Sequence, residues 1–149
     1  MTPSDDKQGE IAKMKLTHTT VWVLDQDSAK AFYTEKLGFE ARMDVPLGPE
    51  PGTARWLTVA PPGGGGELIL AHPSMGNDPE TAEVISGLIA KGALGPGVLS
   101  TDDCHKAYRE LSERGVVFLS EPADRPYGIE AMFRDDSGNT FSLTQHRAG

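Results

Sequence analysis

The strongest constraint on this chain is that it runs through one order of elements twice. From Lys15, side chains alternate: Leu16, His18, Thr20 and Trp22 fall on one face, and Thr17, Thr19, Val21 and Val23 on the other. Alternation of this kind predicts a strand of about nine residues. Asp25 or Asp27 can cap the helix that follows, where Ala29, Phe32, Tyr33 and Leu37 recur at helical spacing until Gly38 provides the left-handed stop. Three strands are then expected, over Phe39–Val45, Arg55–Ala60 and Glu67–Ala71, the last two joined by a hairpin loop over Pro61–Gly66. The second half repeats this order. A strand around Gly97–Ser100 leads to Asp102 or Asp103, which caps a helix carrying Cys104, Ala107, Tyr108 and Leu111 and closed by Gly115. Strands over Val116–Ser120, Ile129–Arg134 and Thr140–Gln145 complete it.

Sliding one half over the other lays Asp27, Lys30, Ala31 and Phe32 on Asp103, Lys106, Ala107 and Tyr108, and Glu67-Leu68 on Ser142-Leu143. Each half ends in a tight hairpin, at Pro61–Gly66 and at Asp135–Asn139. The expected fold class is therefore α+β, built from two βαβββ modules. Module one spans 15–71, a linker with a short helix spans 72–95, and module two spans 96–146, together a single domain over 15–146. Val84, Ile85, Leu88 and Ile89 form the apolar stripe of the linker helix, which packs on a sheet or on a partner, or closes over the cavity as a lid. Residues 1–14 are polar, carry both charge signs and lack the apolar centre of a signal peptide, so they are read as a mobile leader on a cytoplasmic protein.

Composition narrows the partners. Fourteen basic residues against twenty-two acidic ones give a net charge of −8, which repels phosphate backbones and argues against nucleic acid. No apolar run approaches the ~20 residues of a membrane span. Cys104, the single cysteine, has no intramolecular disulfide partner and is read as a half-buried helix residue.

Two stretches resemble a known family. They are Leu16-Thr17-His18-Thr19-Thr20-Val21-Trp22-Val23 running into Asp25…Ala31-Phe32-Tyr33…Leu37-Gly38-Phe39, and Phe133-Arg134-Asp135-Asp136-Ser137-Gly138-Asn139-Thr140-Phe141-Ser142-Leu143. Both are similar to the vicinal-oxygen-chelate superfamily, which contains glyoxalase I, bleomycin-resistance proteins and extradiol dioxygenases. The resemblance implies paired βαβββ modules forming a curved mixed sheet around a cleft, usually in a homodimer. It also implies, for metal-using members, one ligand from the first and one from the last strand of each module. His18 and Glu67 match two of these places. The mirrored places fall at Pro96, which has no side-chain donor, and Ser142, a weak neutral one. His146 lies four residues beyond Ser142, about 13 Å along a strand and too far for the same ion, Glu130 and His72 lack ligand spacing to His18, and His105 is read as a solvated helix side chain. The expectation is a cavity with no metal of its own.

Side-chain parity adds Trp22, Trp56, Thr58, Ile69, Met132, Ser142 and Thr144 to the cavity, with Glu130 nearby and Tyr127 over its mouth. Aromatic and apolar walls with a few polar groups suit a small molecule, and two tryptophans suit a planar or cationic one. Three functional readings stand at this level. The first is a binding protein that sequesters a drug-like aromatic or cationic molecule, as bleomycin-resistance proteins do. A lyase or dioxygenase of the glyoxalase I type, using zinc, nickel, manganese or iron, is the second. The third is a metal-free isomerase or lyase in which His18 and Glu67 form an acid/base pair.

Overall fold

A computed structural model describes residues 9–147 of the chain; the first part of the expected leader, through residue 8, lies outside the described residues. Module one comprises β1 (His18–Trp22), α1 (Gln26–Ala31), β2 (Glu40–Pro46), β3 (Arg55–Ala60) and β4 (Glu67–Ala71). The linker carries α2 (Pro79–Ala90). Module two comprises β5 (Gly97–Ser100), α3 (Cys104–Glu113), β6 (Val117–Arg125), β7 (Gly128–Arg134) and β8 (Thr140–His146). Each module forms its own four-stranded mixed sheet, in the orders β1-β4-β3-β2 and β5-β8-β7-β6, with the first strand parallel to the last. The two βαβββ modules expected from the sequence thus each form a mixed sheet, and the modules are joined by their core.

Helix capping sets the true register of the duplication. Asp25 accepts from the Ser28 amide and Asp103 from the Lys106 amide, so Asp25, not Asp27, is the counterpart of Asp103. Both carboxylates satisfy an amide that the first turn leaves unpaired. Beyond Ala31, α1 widens into a π-helical turn over Phe32–Lys36, in which the Leu37 amide donates to the Phe32 carbonyl. The Phe32 and Tyr33 side chains are both buried there. The capping of α2 by Asp78, with Pro79 at its first position, follows the same rules. Of its apolar stripe Ile89 is fully buried, whereas Val84 is exposed.

Two strand lengths differ from the sequence expectation. β1 has five paired residues because β4, its neighbour among the described strands, offers a ladder of that length. β6 runs past Pro122 to Arg125 through two register irregularities. It lies at the sheet edge, where the missing amide hydrogen of a proline costs no ladder bond.

One core serves both sheets. Val21, Val23, Leu57, Val59 and Leu70 of module one join Ala131, Phe133, Phe141 and Leu143 of module two around Phe32, Tyr33 and Cys104. Tyr33 packs edge-on against Phe141, which stacks on Phe133. Cys104 is fully buried, with its thiol against the Leu143 carbonyl, and burial pushes that thiol up from its ordinary pKa, so it is a packing residue.

The hairpin at 135–139 locks the modules together. One Asp135 oxygen accepts from the amides of Ser137, Gly138 and Asn139; the other accepts from Tyr33 Oη at 2.6 Å and Asn139 Nδ2 at 2.9 Å. Asn139 Nδ2 also donates to the Trp22 carbonyl, and Ser137 Oγ accepts from the Leu24 amide. Gly138, at φ +122°, lies so close to the Ile89 carbonyl that a Cβ could not be placed there.

Candidate functional site

In each sheet alternate residues face the core, and the others form a second, open face. Directly paired residues share a face, so the register lists its members. On module one His18 pairs with Glu67, Thr20 with Ile69, and Thr58 with both Ile69 and Met43. The same face carries Trp22 and Trp56. On module two Val98 pairs with Ser142, Met132 with Ser142, and Glu130 with Thr144. All the sequence-derived cavity residues on strands therefore lie on open faces, but they divide between two sheets. Among the described residues, no hydrogen bond, ion pair or ring contact links His18, Trp22, Trp56 or Glu67 to Tyr127, Glu130, Met132 or Ser142.

On module one, His18 Nε2 stands 3.5 Å from Glu67 Oε1, and His18 Nδ1 lies 2.9 Å from Thr17 Oγ1. Nδ1 is thereby held by a hydrogen bond while Nε2 faces the Glu67 carboxylate at ion-pair distance, with the side chains about a third exposed. The Trp56 ring lies tilted over the imidazole, at a centroid distance of 6.5 Å. Thr58 is fully buried, and its Oγ1 has no hydrogen-bond partner among the described residues. A buried hydroxyl without a partner is uncommon and calls for a physical reason. Beside this group runs a crevice of about 210 Å³ lined by His18, Glu67, Gly66 and Phe39 from module one and by Pro96, Val98 and Leu99 from module two.

The donor set does not fit the metal that the resemblance implies for some members. His18 and Glu67 supply two donors, and among the described residues no group of three or more His, Cys, Asp or Glu side chains is placed to hold an ion. Register sharpens the mirrored places, since Ser142 pairs with Val98 while Pro96 lies just outside the β5–β8 ladder. Val98 and Pro96 add no side-chain nitrogen or carboxylate, and the carboxylate that meets Ser142 is that of Glu130. His105 and His146 are exposed, and His72 is engaged with Ser74.

Module two holds a different group. Glu130 Oε1 accepts from Tyr127 Oη at 2.6 Å, and Glu130 Oε2 accepts from Ser142 Oγ at 2.5 Å. Ser142 Oγ in turn lies 2.6 Å from Thr144 Oγ1. The hydroxyls of Ser142 and Tyr127 hold the Glu130 carboxyl below its ordinary pKa against the opposing effect of burial, helped weakly by Arg125. This connection is not visible in composition or periodicity. Two clues foreshadow it, the Tyr-x-x-Glu spacing across a Pro-Tyr-Gly turn and the pairing of β7 with β8.

Comparison with known proteins agrees with this architecture. The description of the Glyoxalase/Bleomycin resistance protein/Dioxygenase superfamily matches residues 15–143. The solved structure of UcmS2 is 49% identical, covers 89% of this chain and 98% of its own, and superposes with a TM-score of 0.81. TnmS3, an antibiotic binding protein from Streptomyces sp. CB03234, is 33% identical over 93% of this chain and 100% of its own, with a TM-score of 0.71. The uncharacterized protein YurT of Bacillus subtilis is 36% identical over 89% of this chain and 99% of its own length. With the modules, the matched span and these identities in agreement, the chain belongs to the glyoxalase/bleomycin resistance protein/dioxygenase superfamily.

Proposed function

We propose that this protein binds a small aromatic or cationic molecule, in the manner of the drug-sequestering members of its superfamily, in a pocket that uses no metal of its own. The observation that carries this reading is the open face of module one. That face carries Trp22, Trp56 and Ile69, the His18–Glu67 pair with the Trp56 ring tilted over its imidazole, and the buried hydroxyl of Thr58, which has no hydrogen-bond partner among the described residues. Apolar walls with a few convergent polar groups are the usual make-up of a small-molecule site. The similarity to TnmS3 supports a ligand of antibiotic-like chemistry.

The binding unit in this reading is a homodimer. Met43 and Val45 on the open face of module one, and Val98 and Val117 on that of module two, are between 43% and 60% exposed. Apolar side chains exposed on both faces favour cover by a second copy. Tyr127, Met132 and Ser142 then contribute from module two.

The test is tryptophan fluorescence of the purified protein titrated with a panel of aromatic antibiotics and aromatic amines. A saturable response that Trp56→Ala abolishes and His18→Ala weakens supports the reading. One zinc, nickel, manganese or iron ion per chain after chelator-free preparation would sink it. Sedimentation as a monomer would remove the dimer. The oriented His18–Glu67 pair favours a second reading, a metal-free isomerase or lyase, whose signature is turnover lost in both His18→Gln and Glu67→Gln.

A further inference from the structure

The hydrogen bonds on module two's open face have a fixed direction. A carboxylate only accepts, so the Tyr127 and Ser142 hydroxyl protons both point at Glu130. With its own proton used, Ser142 Oγ can only accept from Thr144, which makes Thr144 the donor in the 2.6 Å contact between them. Every hydroxyl proton in the group is therefore committed inward, along Thr144 to Ser142 to Glu130 and from Tyr127 to Glu130. The cluster keeps unused lone pairs and has no hydroxyl proton left to offer. It is also a built feature, since Thr144 is 1% and Ser142 8% exposed, and the Glu130 side chain is 17% exposed.

Such a group discriminates by chemistry. An acceptor-only cluster around a carboxylate repels carboxylates and phosphates and favours a ligand that brings its own donors, such as an ammonium, amidinium or amide N–H. Among the described residues, Arg125 Nε comes within ion-pair range of Glu130, 3.9 Å from Oε1 on a half-exposed side chain, too distant for a hydrogen bond. A carboxylate has roughly four acceptor positions, and the two hydroxyls occupy two of them.

We propose that Glu130, oriented by Tyr127 and Ser142, is the specificity-determining residue of the binding site and selects ligands carrying a protonated amine or other strong hydrogen-bond donor. This rests on the small-molecule reading above and adds the polarity of the ligand and the residue that reads it.

The test compares 1-naphthylmethylammonium with 1-naphthylacetate, which share a ring and differ in charge, by calorimetry on the full-length protein at neutral pH. Expected is at least tenfold tighter binding of the ammonium compound. Glu130→Gln is expected to reduce that preference to within about twofold, whereas Glu121→Gln, on an exposed acid of β6, leaves it intact and controls for net charge. The wild-type Glu130 carboxyl carbon resonance, which needs no variant, should move with the ammonium probe and stay still with the acetate. Equal affinities, a preference unchanged in Glu130→Gln, or one lost in Glu67→Gln instead, overturn the inference while leaving the small-molecule reading in place. Binding of neither probe nor any panel compound overturns both.

Discussion

The two modules share a backbone plan and differ in what they do with it. Module one's open face carries an imidazole, a carboxylate and two indoles, with no hydrogen-bond partner for the Thr58 hydroxyl among the described residues. Module two's open face ties its carboxylate into a chain of three hydroxyls. Their hairpins contrast in the same way. Pro61–Gly66 is an open, glycine-rich loop with three residues at positive φ and one Gly64–Pro61 backbone bond, while Asp135–Asn139 is buried and bonded across the chain to Tyr33, Trp22 and Leu24. The halves therefore keep one strand order while their side chains differ, one leaving the His18–Glu67 pair on its open face and the other tying the halves together through Asp135.

The contrast can be broken most sharply at the hairpins. Asp135→Ala strips the acceptor from five buried donors, and we expect a loss of about 3–5 kcal/mol in urea unfolding. Should it cost no more than a surface substitution, module two's hairpin is not the lock described here. Tyr33→Phe removes one charge-assisted bond and keeps the ring, for an expected loss of about 1.5–3 kcal/mol by the same measurement. The Tyr33 hydroxyl itself is held far above its ordinary pKa by burial, with Asp135 adding to it, so no ionisation of Tyr33 should appear in an absorbance titration until the protein unfolds.

Smaller effects separate the open faces. Carbon-detected titration of Glu130 should give a midpoint below the ordinary glutamate value, and Ser142→Ala should raise it, because the Ser142 hydroxyl is the largest of the lowering influences. The sign for folding follows. A carboxyl depressed in the folded state stabilises the protein above its unfolded pKa, and that contribution fades as pH falls through the depressed folded value. Ser142→Ala should therefore flatten the acid limb of stability against pH. The smallest effect is expected at Gly63→Ala, where nothing lies within 4 Å of the new methyl and φ is not in the left-handed region; a change above about 0.5 kcal/mol in unfolding would show that module one's hairpin is more constrained than its surroundings imply.

Much of this was legible in the residues. The helix caps, the left-handed Gly38 and Gly115, and the assignment of Trp22, Trp56, Thr58, Ile69, Met132 and Ser142 to non-core faces all follow from periods and end signals that act over a few positions. The length of β1 and the passage of β6 through Pro122 were not legible. Each depends on which strand lies alongside, and a strand's own residues do not name its neighbour. The cap of α1 shows the same limit at close range: Asp25 and Asp27 can both accept an amide from the sequence alone, and the fold places Asp25 as the cap.

The sequence by itself determined the repeated order of elements and the alternation that separates core from open face, because these rest on local periodicity, while the places held by His18 and Glu67 follow from the resemblance to the family. Only the tertiary structure decided that Glu130 would be met by Tyr127 and Ser142, that Thr58 would be buried without a partner, and that Asp135 would bind the two modules. Those outcomes join residues from different strands or modules, and cross-strand register, set by the collective burial of one shared core, is what brings their atoms within hydrogen-bonding distance or leaves them without a partner.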